Sequence, residues 1–230
     1  YRDHVYSDPS LPYIFYLPQD IQSQVVATMT CPSDPGGPGK GAGGQVYQFQ
    51  GNYVCSAGAA TQSSGLPVDL AYSDCGGMFY YNFSLTVEHC IDGTSNVAMM
   101  SESIIRGTAP NGRWGEAGGY WGGAPHGSWG YSSAEPPNTS VPDRVYSCKN
   151  APAWDTAGTF YWVMAPGRAP CENGSGGGLS GRWNFARSLH PGGVNVLLCD
   201  ASVRFVNQTI ERDTWRNLGN RRDSVPLGAF

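Results

Sequence analysis

Between Leu189 and Val206 the chain passes through a glycine turn (Gly192-Gly193), an apolar run (Val194 to Leu198), a polar break at Asp200-Ala201 and a second run from Val203 to Val206. Two short runs rich in β-branched residues, split by so few polar positions, leave room for little except a β-hairpin. A two-residue loop at Asp200-Ala201 predicts a definite register. Leu198 then lies opposite Val203 and Val196 opposite Phe205, giving one wholly apolar face. The other face pairs Leu197 with Arg204 and Asn195 with Val206, a mixed surface. One side of the hairpin is thus expected on a core and the other partly in solvent.

The same stretch holds His190 and, after nine residues, Asp200. Three further blocks accompany it: Cys31-Pro32-Ser33-Asp34-Pro35, then Ile91-Asp92-Gly93-Thr94-Ser95-Asn96 followed by Glu102, and a tail from Trp215 through Leu218-Gly219 to Phe230. In order and spacing these blocks resemble the DUF1559 family, pilin-like (type II secretion pseudopilin-like) surface proteins of planctomycete-type bacteria, across roughly residues 25 to 230. The resemblance implies an α+β fold: a pilin-like globular domain, mainly antiparallel β-sheet, with little helix and long loops. It implies no chemistry, because the family has no established biochemical activity.

Two departures stand out. The glycine that usually follows the turn aspartate is Ala201 here, and alanine at positive φ costs on the order of 1 kcal/mol relative to glycine. The chain starts at Tyr1, without the prepilin peptide and long apolar helix of the family, and is expected to be processed or truncated. Residues 1–24 would connect that helix to a globular domain at 25–230.

Glycine (32) and proline (17) make up about a fifth of the 230 residues, high for a globular chain but below the level that signals disorder. With 12% aromatic and 14% charged residues, loop-rich β structure is the reading. A net charge of −4 gives no footprint for nucleic acid, and no run of eighteen apolar residues spans a bilayer. Seven cysteines without a C-x-x-C pair argue against zinc ribbons and thioredoxin-like redox sites. They fit an exported protein with two or three disulfides among Cys31, Cys55, Cys75, Cys90, Cys148, Cys171 and Cys199, with Cys148 and Cys171 the preferred pair. An extracellular or cell-surface location follows from that reading. Four sequons, at Asn82, Asn138, Asn173 and Asn207, are candidate glycosylation sites.

Along the chain, Val25 to Met29, Val46 to Val54, Met78 to Leu85 and Asn96 to Ile105 read as strands. Glu211 to Leu218 reads as a helix with Thr209 as its cap. From 107 to 181 the sequence is a Trp- and Gly-rich excursion holding Trp114, Trp121, Trp129, Trp154 and Trp162. A structureless loop of that length is improbable in a compact domain, so short strands such as Thr159 to Met164 are expected within it, stapled by disulfide.

His190, Asp200, Asp92 with Gly93, Glu102 and Cys31 are the signature residues that invite a functional reading. A structural role predicts that Asp92 and Asp200 cap turns and that Glu102 and His190 share a charged hydrogen bond that fixes the sheet. A metal role is weaker: no EF-hand-like loop is present, and Asp69, Asp74 and Asp92 form no recognisable calcium motif. No cofactor is therefore expected, with calcium the one ion considered. No G-x-S-x-G, H-E-x-x-H or Walker sequence offers catalysis. Arg221-Arg222 reads as a solvated basic pair. The tryptophans of the excursion have two readings, a core or subunit interface and a platform for sugar rings. The function expected is thus a non-enzymatic, self-associating pilin-like subunit of a cell-surface or extracellular filament. The alternative is an extracellular carbohydrate-binding module.

Overall fold

The computed structural model describes residues 19–35, 39–43, 46–62, 65, 67, 74–80, 84–105, 130–145, 169–173, 183–228 and 230. Its centre is a five-stranded sheet. The strands are β3 (Tyr53–Gly58), β4 (Ala98–Glu102), β5 (Gly130–Ser132), β8 (Gly193–Leu198) and β9 (Val203–Asn207), in the spatial order β5-β3-β4-β8-β9. All neighbours run antiparallel except β3 and β5. Two small ribbons stand beside it: an antiparallel hairpin of β1 (Gly39–Gly43) with β2 (Val46–Gln50), and a parallel pair of β6 (Asp143–Val145) with β7 (Cys171–Asn173). Helices are short, α1 at Gln19–Gln22 and α2 at Arg212–Leu218. The fold is α+β with sheet dominant, as expected.

The core forms on one face of the sheet because β8 alternates strictly. Val194, Val196 and Leu198 point inward, joined by Val54, Ala98 and Val206, and α2 lays Trp215 and Leu218 across them. Trp215 stacks on Tyr131 with ring centroids 6.0 Å apart. Each fully buried large aliphatic side chain contributes about 1.5–3 kcal/mol, so this layer anchors the domain. Glu211, not Thr209, caps α2: its carboxylate accepts from the Thr214 amide at 2.7 Å. The shorter reach of threonine, two residues further back, serves instead a turn with Asn207.

The hairpin is real, but its register differs from the expected one. Leu197 pairs with Val203, Asn195 with Phe205 and Val194 with Val206. The loop holds three residues. Leu198 accepts from the Ala201 amide and donates to Ser202 O, and Ala201 takes φ +66°. This is the turn-plus-bulge closure in which the third loop residue is left-handed. One extra loop residue inverts the side-chain parity of β9, so Val206 is buried while Val203 and Phe205 face outward, 64% and 50% exposed. The sequence-based facing was wrong for that strand.

Other elements depart from expectation as well. Ala27–Met29 is a single 3₁₀ turn, not strand. The run from Val46 to Val54 is two strands broken at Gly51-Asn52. Met78 to Tyr80, with Ser84 and Leu85, are irregular, while Cys75 and Gly76 make isolated bridges to Gly58. Within the excursion, β5, β6 and β7 are formed. Thr159 to Met164 lies outside the described residues.

The disulfide framework is also corrected: Cys31, Cys55, Cys75, Cys90 and Cys199 are free thiols. Cys75, Cys90 and Cys199 pack as small hydrophobes. Cys75 sits with Trp183 and Phe185, and Cys90 with Met78, whose sulfur it meets at 3.3 Å. Burial pushes the Cys55 thiol up to about 11, and burial together with the neighbouring Cys90 raises Cys199. Cys148 lies outside the described residues, so the preferred Cys148–Cys171 pair does too.

Candidate functional site

Glu102 ends β4, opposite Tyr53. Strand alternation turns it to the face away from the α2 core, while Ser101 packs on the core side beside Val196. A carboxylate with only 2% of its side chain exposed needs donors, or its desolvation is uncompensated. It has three. Oε2 accepts from the Asn195 amide at 2.6 Å, and Oε1 lies 3.0 Å from His190 Nε2 and 3.3 Å from Asn195 Nδ2. His190 is held in the turn before β8, where its amide donates to Ser188 Oγ, which itself donates to Gly193 O at 2.6 Å.

The third member is Cys31, whose Sγ lies 3.5 Å from the same His190 Nε2. Its loop is fixed by Asn52. The Cys31 amide donates to Asn52 Oδ1 at 2.8 Å, and Asn52 Nδ2 donates to Asp34 Oδ2 at 2.6 Å and to Ser103 O at 3.0 Å. Asp34 Oδ2 also accepts from the Ile105 amide. The Cys31-to-Pro35 loop, the end of β4 and the turn before β8 thus meet over the sheet. Burial, with the negative charge of Cys31 and Glu102 nearby, raises the Tyr53 phenol.

A thiol–imidazole–carboxylate relay requires thiol and carboxylate on opposite ring nitrogens. Here both converge on Nε2, so the relay is not assembled. Asp200 does not join the group. It sits at the far end of β8 in the exposed hairpin loop, where it accepts from the Ser202 amide at 2.9 Å and from Ser202 Oγ at 2.6 Å. Those bonds hold its carboxyl below the usual range.

Of these four positions of the sequence signature, Cys31, Glu102 and His190 meet in one cluster, and Asp200 closes the hairpin turn apart from it. Residues 5–213 match the family described as Protein of unknown function (DUF1559). The chain belongs to that family. No curated protein and no solved structure matches it.

In this DUF1559 protein the other singled-out residues have structural partners. Asp92 caps no turn of its own. It reaches across to the C-terminal tail, accepting from the Asp223 and Ser224 amides at 2.9 and 2.8 Å, while Gly93 supplies a φ of +94°. Asp74 is gripped by Arg221 through two bonds of 2.8 and 2.6 Å and by Arg222 at 3.0 Å. Its oxygens face guanidinium groups, which does not suit a calcium ligand. The reading of Arg221-Arg222 as a solvated pair is corrected for Arg221, which is buried. Asp69 lies outside the described residues.

The sequon at Asn138 is engaged inward. Its amide nitrogen contacts Gln208 Oε1 and Gly193 O, and its oxygen accepts from the Ser188 amide. A glycan there would break these contacts, so the expectation of an accessible acceptor is corrected. Asn207 is exposed at the end of β9 and Asn173 ends β7. Asn82 and the five excursion tryptophans, Trp114, Trp121, Trp129, Trp154 and Trp162, lie outside the described residues.

Three residues the sequence did not flag hold the site's surroundings. Asn52 is one. The others are Arg187 and Asp143, a fully buried pair bonded at 2.9 Å. Arg187 also donates to Thr139 O and Val141 O, and Asp143 Oδ1 accepts from the Phe185 amide. Arg187's own amide donates to Glu102 O, tying the pair to the site. A charged residue inside Asn184-Phe185-Ala186 and Ser188 was the only signal available.

Proposed function

We propose that this chain is a non-enzymatic structural subunit of the pilin-like type, assembling with copies of itself in a cell-surface or extracellular filament. One observation carries the reading. β9 is an edge strand of the central sheet, and its outward face presents Val203 and Phe205 beside the half-buried Leu197. An exposed edge with apolar side chains is a template for association that a solitary domain would normally blunt. The commitment of Asp92, Asp200 and Asp74 to structural donors supports the same view, since it leaves those carboxylates little to offer a substrate.

The test is self-association measured by sedimentation velocity across a concentration series, with electron microscopy of the concentrated protein. Wild type is expected to shift to larger species as concentration rises, and Phe205→Asp to stay monomeric with an unchanged fold. A wild type that stays monomeric throughout, or a variant that associates equally well, would defeat the proposal. The carbohydrate-binding alternative rests on the tryptophans of the excursion and makes a separate prediction, glycan binding lost on Trp121→Ala or Trp129→Ala.

A further inference from the structure

We infer that Cys31, Glu102 and His190 form a binding site for a zinc-type divalent cation. The inference is independent of the assembly reading, and its test does not involve self-association.

Cys31 Sγ, His190 Nε2 and a Glu102 carboxylate oxygen all lie within 4.8 Å of one another. Tetrahedral zinc with ordinary Zn–S, Zn–N and Zn–O bonds places sulfur and nitrogen ligands about 3.5 Å apart, and nitrogen and oxygen ligands about 3.3 Å apart. The observed separations are 3.5 Å for Sγ to Nε2 and 3.0 Å for Nε2 to Oε1. Both separations lie within a few tenths of an ångström of the zinc values, and the sulfur-to-carboxylate separation is no more than 4.8 Å. Convergence on one ring nitrogen fails as a proton relay and suits coordination, in which each donor points at a common centre.

The surroundings add a second, independent observation. A cavity of about 10 Å³ adjoins the cluster, lined by Cys31, Asp34, Asn52, Glu102 and Ser188 among others. That is close to the space a single water requires, and its mixed walls bring Asp34, Asn52, Glu102 and Ser103 beside the apolar Ile104 and Leu189, so a fourth, water ligand has polar partners within the cavity. The donors are also held from behind, as metal ligands usually are. Asn195 fixes both Glu102 oxygens, Asn52 fixes the Cys31 loop, and Ser188 fixes the His190 turn. The chemical mix of one thiolate, one imidazole and one carboxylate favours zinc over calcium or magnesium, which take oxygen ligands. Binding releases the Cys31 thiol proton, and the imidazolium proton wherever His190 carries one. The dication then balances the thiolate and the buried carboxylate.

The experiment is titration of the chelator-stripped, reduced protein with Co²⁺ under nitrogen, followed by Zn²⁺ competition and a thermal-shift assay with each ion. The expected result is a single Co²⁺ per chain with a near-ultraviolet thiolate-to-cobalt band and tetrahedral visible bands, bleached by Zn²⁺, and a raised unfolding temperature with zinc. Cys31→Ser should lose the thiolate band and bind zinc about tenfold or more weakly, while Cys199→Ser keeps both. His190→Gln, at a side chain 24% exposed and so tolerant of change, gives the same loss without relying on the buried cysteine. Absence of the thiolate band in wild type, or its survival in both Cys31→Ser and His190→Gln, would overturn the site.

Discussion

At the scale of single residues, Ala201 carries a cost that the fold accepts. It sits at φ +66°, where a Cβ meets its own carbonyl and glycine does not. Ala201→Gly should raise stability by about 0.5–1 kcal/mol, the steric gain being partly offset by the freer unfolded chain, and chemical denaturation midpoints measure it. An unchanged or lower midpoint would mean that the loop relaxes by another route. Arg187 works in the opposite direction. Arg187→Met leaves the Asp143 carboxylate buried without its cation, an uncompensated charge worth about 3–5 kcal/mol. The double change Arg187→Met with Asp143→Leu should recover a good part of that loss, and a double-mutant cycle reads the coupling directly. Neither residue was legible beforehand. A lone arginine among aromatic and small residues looks the same in sequence whether it is solvated or entombed, and only the fold brings Asp143 to it.

Among elements, what could be read depended on periodicity. β8 and α2 were visible because apolar positions recur at the spacing of their geometry. Val25 to Met29 carries the same kinds of residue, yet Ala27–Met29 forms one 3₁₀ turn, and among the described residues it pairs with no strand. The Asp92 clasp could not be anticipated at all, since its partners are backbone amides 131 and 132 positions away. It yields a prediction at this scale. The tail is also tied by the Ile91 amide, which donates to Arg221 O at 2.8 Å, so Asp92→Ala should loosen residues 223–230 while the sheet remains folded. Limited trypsin digestion followed by mass spectrometry should show faster cleavage after Arg222. An unaltered cleavage rate would mean the clasp contributes nothing to holding the tail.

For the molecule as a whole, the tie between Asp74 and the Arg221-Arg222 segment gives stability a dependence on pH. The hydrogen bond from Arg221 is the main reason the Asp74 carboxyl sits below its usual range, with the Gly76 amide and the charge of Arg222 adding to it against partial burial. Folding therefore favours the ionised form. This contribution is fully present above about pH 4, the ordinary aspartate range, and is lost as pH falls through the lower folded-state value. Urea midpoints at pH 7 and pH 3 should converge more closely for Asp74→Asn than for wild type. Equal spans in the two proteins would remove Asp74 from the account of acid lability. The family signature gave away Cys31, Glu102 and His190 as positions. Their meeting on one nitrogen was hidden, because two loops from distant parts of the chain must close over one end of β4 to create it.

The three-residue closure of the β8–β9 hairpin has one more consequence. Because strand parity is binary, removing a single residue between Leu198 and Ser202 would not merely shorten a surface turn; it would exchange the inner and outer wardrobes of β9, turning Phe205 toward Trp215 and sending Val206 out to water. An insertion series there should therefore behave as an odd–even switch, with two added residues tolerated and a single addition or deletion ruinous, as read by thermal unfolding.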